Sequence, residues 1–196
     1  SIARARLFGN RQGPAGHWRC VTCSQQPDFH RREAETRVIF DLDAIEVRVL
    51  GSLIEKELTT PEYYPMSLNA LLNACNQKTS REPVVNYDES AVQQALDRLK
   101  HRGLVMYYTG SGSRVIKYGQ RISERLNLGR REVPLLGLLM LRGPQTIGEL
   151  RGRTERMYDF SDLEEVESVL KLMSEREGGG LVTKLAHLPG TKEARW

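Results

Sequence analysis

Four segments of this chain return, in the same order, in its second half. Val47-x-Val49-Leu50-Gly51-x-Leu53-Ile54 reappears as Val133-x-Leu135-Leu136-Gly137-x-Leu139-Met140, 86 residues later. Ser67-Leu68-x-x-Leu71 reappears as Thr146-Ile147-x-x-Leu150 at an offset of 79, and Val92-x-x-Ala95-Leu96-x-x-Leu99 as Val166-x-x-Val169-Leu170-x-x-Met173 at an offset of 74. Gly103-Leu104-Val105 closes the series as Gly180-Leu181-Val182, offset by 77. The drifting offset puts insertions and deletions between the segments, where loops lie. The repeated object is therefore a small domain of three helical patterns and an apolar strand-like pair. A domain this small is near the lower limit for an independent core, so each half is expected to lean on the other.

Local signals mark the elements. Asp43-x-x-Glu46 is a capping box, and the helix it starts runs to about Leu58 with Ile45, Val49, Leu53 and Ile54 on one stripe. Ser67 caps a second helix that buries Leu68, Leu71, Leu72 and Cys75, and Asp88 caps a third with Val92, Ala95, Leu96 and Leu99 inward. Leu104–Tyr108 and Arg114–Tyr118 flank a Gly-rich tip and read as a β-hairpin. In the second repeat Thr146-x-x-Glu149 and Ser161-x-x-Glu164 are the expected capping boxes. Leu181–Leu185 and Lys192–Trp196 flank Pro189-Gly190 as a second hairpin.

Three helices followed by a hairpin is the winged-helix pattern. The expected fold is α+β, mainly helical, with two tandem winged-helix domains at 41–125 and 130–196 behind an Arg-rich, flexible extension at 1–40.

A family resemblance points the same way. It is carried by Thr59-Thr60-Pro61-Glu62-x-Tyr64-Pro65, Ala74-Cys75-Asn76-Gln77-Lys78-Thr79-x-Arg81-Glu82-Pro83-Val84 and Arg114-Val115-x-Lys117-Tyr118. Leu141-Arg142-Gly143-x-Gln145-Thr146, Gly148-Glu149-Leu150-Arg151, Arg156-Met157-Tyr158-x-Phe160 and Pro189-Gly190-x-x-Glu193-x-Arg195 extend it. Over about residues 42–196 the chain resembles the YceH-like family of bacterial proteins. The resemblance implies a tandem winged-helix protein and no particular chemistry. The first 40 residues depart from that family's pattern, which also continues past the position of Trp196.

Charge narrows the function classes. Seven of the 29 basic residues and three of the 25 acidic ones fall in residues 1–40, which leaves 22 of each in the duplicated body. Attraction to phosphate must then come from local patches. Three cysteines, an odd number without a framework, suit a reducing compartment, and the cytoplasm is expected. The most apolar run, Val133 to Leu141, is far shorter than the ~20 residues of a membrane span. His17-x2-Cys20-x2-Cys23-x6-His30 contains one zinc-like half-site, but its His spacings fit no common finger, so no metal and no cofactor are expected. His101 and His187 stand without a nucleophile or carboxylate constellation. The glycine runs at 110–112 and 178–180 lack the context of a phosphate loop, so the chain reads as non-enzymatic.

DNA is the leading partner. On the third helix of the first repeat, the face opposite the core offers Gln93, Gln94, Asp97, Lys100 and His101. Glutamine can bond adenine in bidentate fashion, and lysine can reach guanine or phosphate. Arg98, Arg102, Arg114, Lys117 and Arg121 are cations around that helix. Lys78 and Arg81 lie on the polar string before it, Asn73 to Glu82. The same string also reads as a structural plug, with its amides capping the second helix and Arg81 paired to Glu82 or Glu55. In the second repeat the third helix is rich in glutamate and would repel a phosphate backbone. Arg151, Arg153 and Arg156 nearby suit a phosphate, an acidic partner or their own acidic helix. The alternative to DNA binding is a protein-interaction or assembly module.

Overall fold

The computed structural model describes residues 41–109, 115–187, 190 and 193–196. All of them belong to one unit, Thr36–Trp196. Residues 1–40, among them the expected extension's His17, Cys20, Cys23 and His30, lie outside the described residues, as do Arg114 and the hairpin tip.

Among the described residues the fold is α+β and mainly helical, with seven α-helices and a three-stranded antiparallel sheet. In chain order these are α1 (Ala44–Thr59), β1 (Met66–Ser67), α2 (Leu68–Cys75), α3 (Glu89–His101), β2 (Val105–Tyr108), β3 (Lys117–Gln120), α4 (Ile122–Arg125), α5 (Glu132–Arg142), α6 (Ile147–Thr154) and α7 (Leu163–Ser174). The sheet order is β1-β3-β2, with Met66 opposite Tyr118 and Tyr107 also opposite Tyr118. Among the described residues the second hairpin strand starts at Lys117, with Val115 and Ile116 before it, and Ser67 and Tyr108 both pair with Lys117 there.

The caps follow the local chemistry. Asp43 accepts from the amides of Ile45 and Glu46 while Glu46 accepts from the amide of Asp43, which closes the box. Ser67, Asp88 and Thr146 cap α2, α3 and α6, the last again with a closed box. At α7 the expected pair is displaced by one residue. Asp162, not Ser161, is the cap and accepts from the Glu165 amide, while the Glu165 carboxylate accepts from the amide of Ser161. Aspartate fills the cap with a full charge against the unpaired amides of the first turn, which outcompetes the serine hydroxyl.

Helix α1 is the centre of the molecule. Its Val49, Leu50, Leu53 and Ile54 are completely buried, each burial stabilising by about 1.5–3 kcal/mol. Burial extends to Gly51 and Ser52, off the expected stripe, because α5 packs on the side of α1 left open by α2 and α3. Helix α5 is apolar nearly all round for the same reason, with Val133, Leu135, Leu136 and Leu138 buried.

The second repeat keeps its three helices, but no strand forms among the described residues after α7. What remains is a skeleton of the first repeat's pairing. Gln145 and Trp196 exchange backbone hydrogen bonds of 3.0 and 2.8 Å, and the Leu185 amide donates to the Arg195 carbonyl at 2.8 Å. Offsets of 79 and 77 place Met66 on Gln145 and Tyr108 on Leu185, and a one-residue shift to 78 places Tyr118 and Lys117 on Trp196 and Arg195, so these bonds parallel Met66 opposite Tyr118 and Tyr108 opposite Lys117. Pro189 and Lys192 of the expected hairpin lie outside the described residues.

Candidate nucleic-acid interface

Helix α3 buries Val92, Ala95, Leu96 and Leu99 and turns Gln94, Asp97, Lys100 and His101 outward. Gln93, Asp97 and Lys100, spaced at i, i+4 and i+7, form the edge that meets the sheet. There the Tyr107 hydroxyl donates to Asp97 Oδ1 at 2.6 Å, and the Tyr118 hydroxyl donates to Gln93 Oε1 at 3.1 Å. Gln93 Nε2 donates to Asp97 at 3.1 Å. Lys100 Nζ stands 4.1 Å from the centroid of the Tyr107 ring, and that ring meets Tyr118 edge to face at 4.7 Å. Burial, then the Asp97 carboxylate that accepts its proton, pushes the Tyr107 phenol well above its ordinary pKa, so it stays a donor.

The predicted contact residues therefore separate. Gln94 is exposed, its amide nitrogen on Ser90 Oγ at 3.1 Å, and Lys78, Lys100 and Lys117 are exposed cations. Gln93 has both ends of its amide engaged and is not free to read a base. Arg98 is turned back onto α1, 2.6 Å from Asp43 and 3.1 Å from Glu46, where it holds the capping box closed. Arg102 donates to the Asp41 carbonyl, and Arg121 pairs with Glu124 at 2.9 Å.

Arg81 is a correction. Its side chain is 0% exposed, so no phosphate reaches it. It forms a two-pronged pair with Glu55 at 3.1 and 2.6 Å and donates to the Ala74 carbonyl at 3.1 Å. Arg48, inside α1, donates in the same way to the Cys75 and Pro83 carbonyls at 3.1 and 2.6 Å. The polar string is thus largely a plug, with guanidiniums rather than amides on the last carbonyls of α2. A helix end buried against another helix needs strong forked donors, and the helix dipole favours a cation there. Burial pushes the Glu55 carboxyl up, but the bonds and charge of Arg81, with Lys56 behind, outweigh it and leave the pKa below its ordinary value.

Residues 42–191 match the sequence pattern of a family described as "Protein of unknown function, DUF480". The chain belongs to this DUF480 family. A relative named "UPF0502 protein" from Solibacter usitatus is 59% identical over 157 residues, which is 80% of this chain and 74% of the relative. Proteins of the same name from Citrifermentans bemidjiense and Opitutus terrae are 57% and 51% identical, covering 79% of this chain and 71% and 67% of their own lengths.

In this DUF480 member the second repeat presents a different face. Along α7 the exposed side is Glu164, Glu167, Lys171 and Glu175, with Leu163 and Leu172 left 47% and 64% exposed among them. Arg151 is engaged with the Phe160 and Ser161 carbonyls at 3.1 and 3.0 Å, and Arg153 with Glu149 at 3.2 Å. Among the described residues, none of the helices is long and apolar enough to cross a membrane. Sequence reasoning did not find Arg48 or the Arg98 clamp, since an arginine's destination depends on which carbonyls the fold leaves unpaired.

Proposed function

We propose that the chain is a non-enzymatic protein of two winged-helix domains, 41–125 and 130–196, as the YceH-like resemblance implies. Its first domain binds duplex DNA with α3 in the major groove. The observation that carries this reading is the outward ridge of α3 beside the sheet. Gln94, Lys100 and Lys117 are exposed there, while the carboxylate in the middle of the ridge, Asp97, is occupied by the Tyr107 hydroxyl and Gln93. Such a ridge offers a phosphate backbone cations without an unpartnered acid in their midst, and Gln94 keeps its carbonyl oxygen for a base edge. Lys78 extends the cationic track toward α2.

The test is fluorescence anisotropy of the full chain on labelled duplex DNA across a salt series, beside Lys100→Ala and Lys117→Ala. Each lost phosphate contact should weaken binding and flatten the log–log salt slope by about one. Absence of micromolar binding at low salt, or variants with unchanged slopes, would sink the reading.

A second reading rests on α7. Leu172, 64% exposed beside Glu175 and Lys171, with an acidic helix around it, suits a protein segment better than a nucleic acid. On that reading the protein is an assembly module, and Leu172→Asp would abolish partner capture while leaving DNA titrations unaltered.

A further inference from the structure

Between the two repeats lies a cavity of about 260 Å³ walled by α1, the loop after α2, α5 and the end of α6. Its charge is one-sided. Lys56, Arg142, Arg153 and Arg156 line it against a single carboxylate, Glu55. That carboxylate is clasped by both amino groups of Arg81 at 3.1 and 2.6 Å, and Lys56 stands 3.5 Å from it and donates to Gln77 at 3.3 Å, so the cations left over are the arginines. Arg153 is balanced by Glu149 at 3.2 Å, whereas Arg142 and Arg156 have no ion pair among the described residues. The Nε of Arg142 is shielded from solvent and bonds no protein atom. A buried donor of a charged group is costly unless water or an anion meets it, which makes this one available to an acidic ligand.

We propose that this cavity binds the dianionic phosphate of a small phosphate monoester. Two unpartnered guanidiniums with Lys56 beside them match a group carrying about two negative charges and three acceptor oxygens. Thr79, whose hydroxyl accepts from Gln77 at 3.2 Å, and Ser80 are among the lining residues. Leu138, Leu141 and Met157 also line the cavity and give it apolar surface for the carbon body of the ester. The volume falls at the small end of ligand sites and admits no duplex. Because the walls come from both repeats, an occupant that bridges them binds the folded arrangement alone and raises its stability. The site is remote in sequence from the α3 ridge and does not depend on the DNA reading.

Isothermal titration of the full chain with glycerol 3-phosphate and with inorganic phosphate, beside a short duplex DNA as a third arm, tests it. Saturable one-to-one binding of the monoester is expected, with a rise in melting temperature. Arg156→Ala, at an exposed position, should fold normally and weaken binding by about tenfold or more, and Arg142→Lys, which keeps the charge but loses Nε, should weaken it as well. Lys100→Ala should leave it unchanged, which separates this site from the α3 ridge. No saturable binding of either small phosphate up to about 10 mM, equal binding by Arg156→Ala, or recognition of phosphate only within the duplex would each overturn the proposal.

Discussion

Gly137 of α5 lies so close to Ile54 of α1 that a Cβ at the glycine would stand 2.6 Å from the isoleucine Cγ2. The contact is reciprocal. A Cβ on Gly51 of α1 would stand 3.0 Å from Met140 and Leu141 of α5. Gly51 and Gly137 are the same position of the repeat, as are Ile54 and Met140, so the duplicated helices pack on each other by duplicated residues.

Gly137→Ala is therefore expected to destabilise the protein. Overpacking costs about 1–3 kcal/mol and is only partly offset by the roughly 1 kcal/mol that alanine gains in a helix. Gly152 of α6 faces open space, so Gly152→Ala should instead stabilise by about 0.5–1 kcal/mol. Urea melts of the two variants check the pair. A Gly137→Ala protein as stable as the parent would mean the helices do not approach this closely.

Glu55 and Arg81 form the buried pair of the first repeat, and removing one partner leaves the other charged and unmatched. Glu55→Gln should cost about 3–5 kcal/mol at neutral pH. Because the folded pKa of Glu55 lies below its ordinary 4.5, the stabilisation is full above 4.5 and disappears as pH falls through the folded value. The stability gap between parent and variant should narrow in acid, which thermal melts at neutral and acidic pH will measure.

Burial pushes the Cys75 thiol up to about 11, with hydrogen bonding and the charges of Arg81 and Arg48 pulling weakly the other way. At neutral pH it carries almost no thiolate and is shielded besides, so it should resist alkylation in the folded protein and react on unfolding. Peptide mapping after iodoacetamide treatment with and without denaturant is the measurement. Rapid labelling of Cys75 under native conditions contradicts its buried place beneath α1.

Helix position alone makes Arg98 an expected DNA contact, yet it clamps Asp43 and Glu46. Arg98→Ala should lower stability on the order of 1 kcal/mol and leave the salt slope of any DNA binding unchanged. A changed slope without a change in stability would return it to the interface.

Much of the architecture was legible in residue order. The duplication, the caps at Asp43, Ser67, Asp88 and Thr146, and the inward face of α3 follow from spacing, because helix periodicity and first-turn chemistry are local properties. On α2, Leu71 and Cys75 are buried as expected, while Leu68 and Leu72 are half-buried and Ala74 joins the core. The cap of α7 was misplaced by one residue, since Ser161 and Asp162 compete for the same amides and only the path of the chain chooses between them. The candidate interface was half legible. Gln94, Lys100 and Lys117 are exposed where helical and strand periods put them and Lys78 is exposed on its loop, while Gln93, Arg81 and Arg98 found partners up to 55 residues away.

Residue order by itself determined the repeated helical core and the neutral balance of the body. Tertiary structure decided that the two copies meet through their first helices, that arginines close the end of α2, and that a cationic cavity opens between the repeats. The physical reason is range. Caps and stripes are settled within a turn or two of helix, whereas the fate of a long charged side chain depends on carbonyls and carboxylates brought near it by distant parts of the chain.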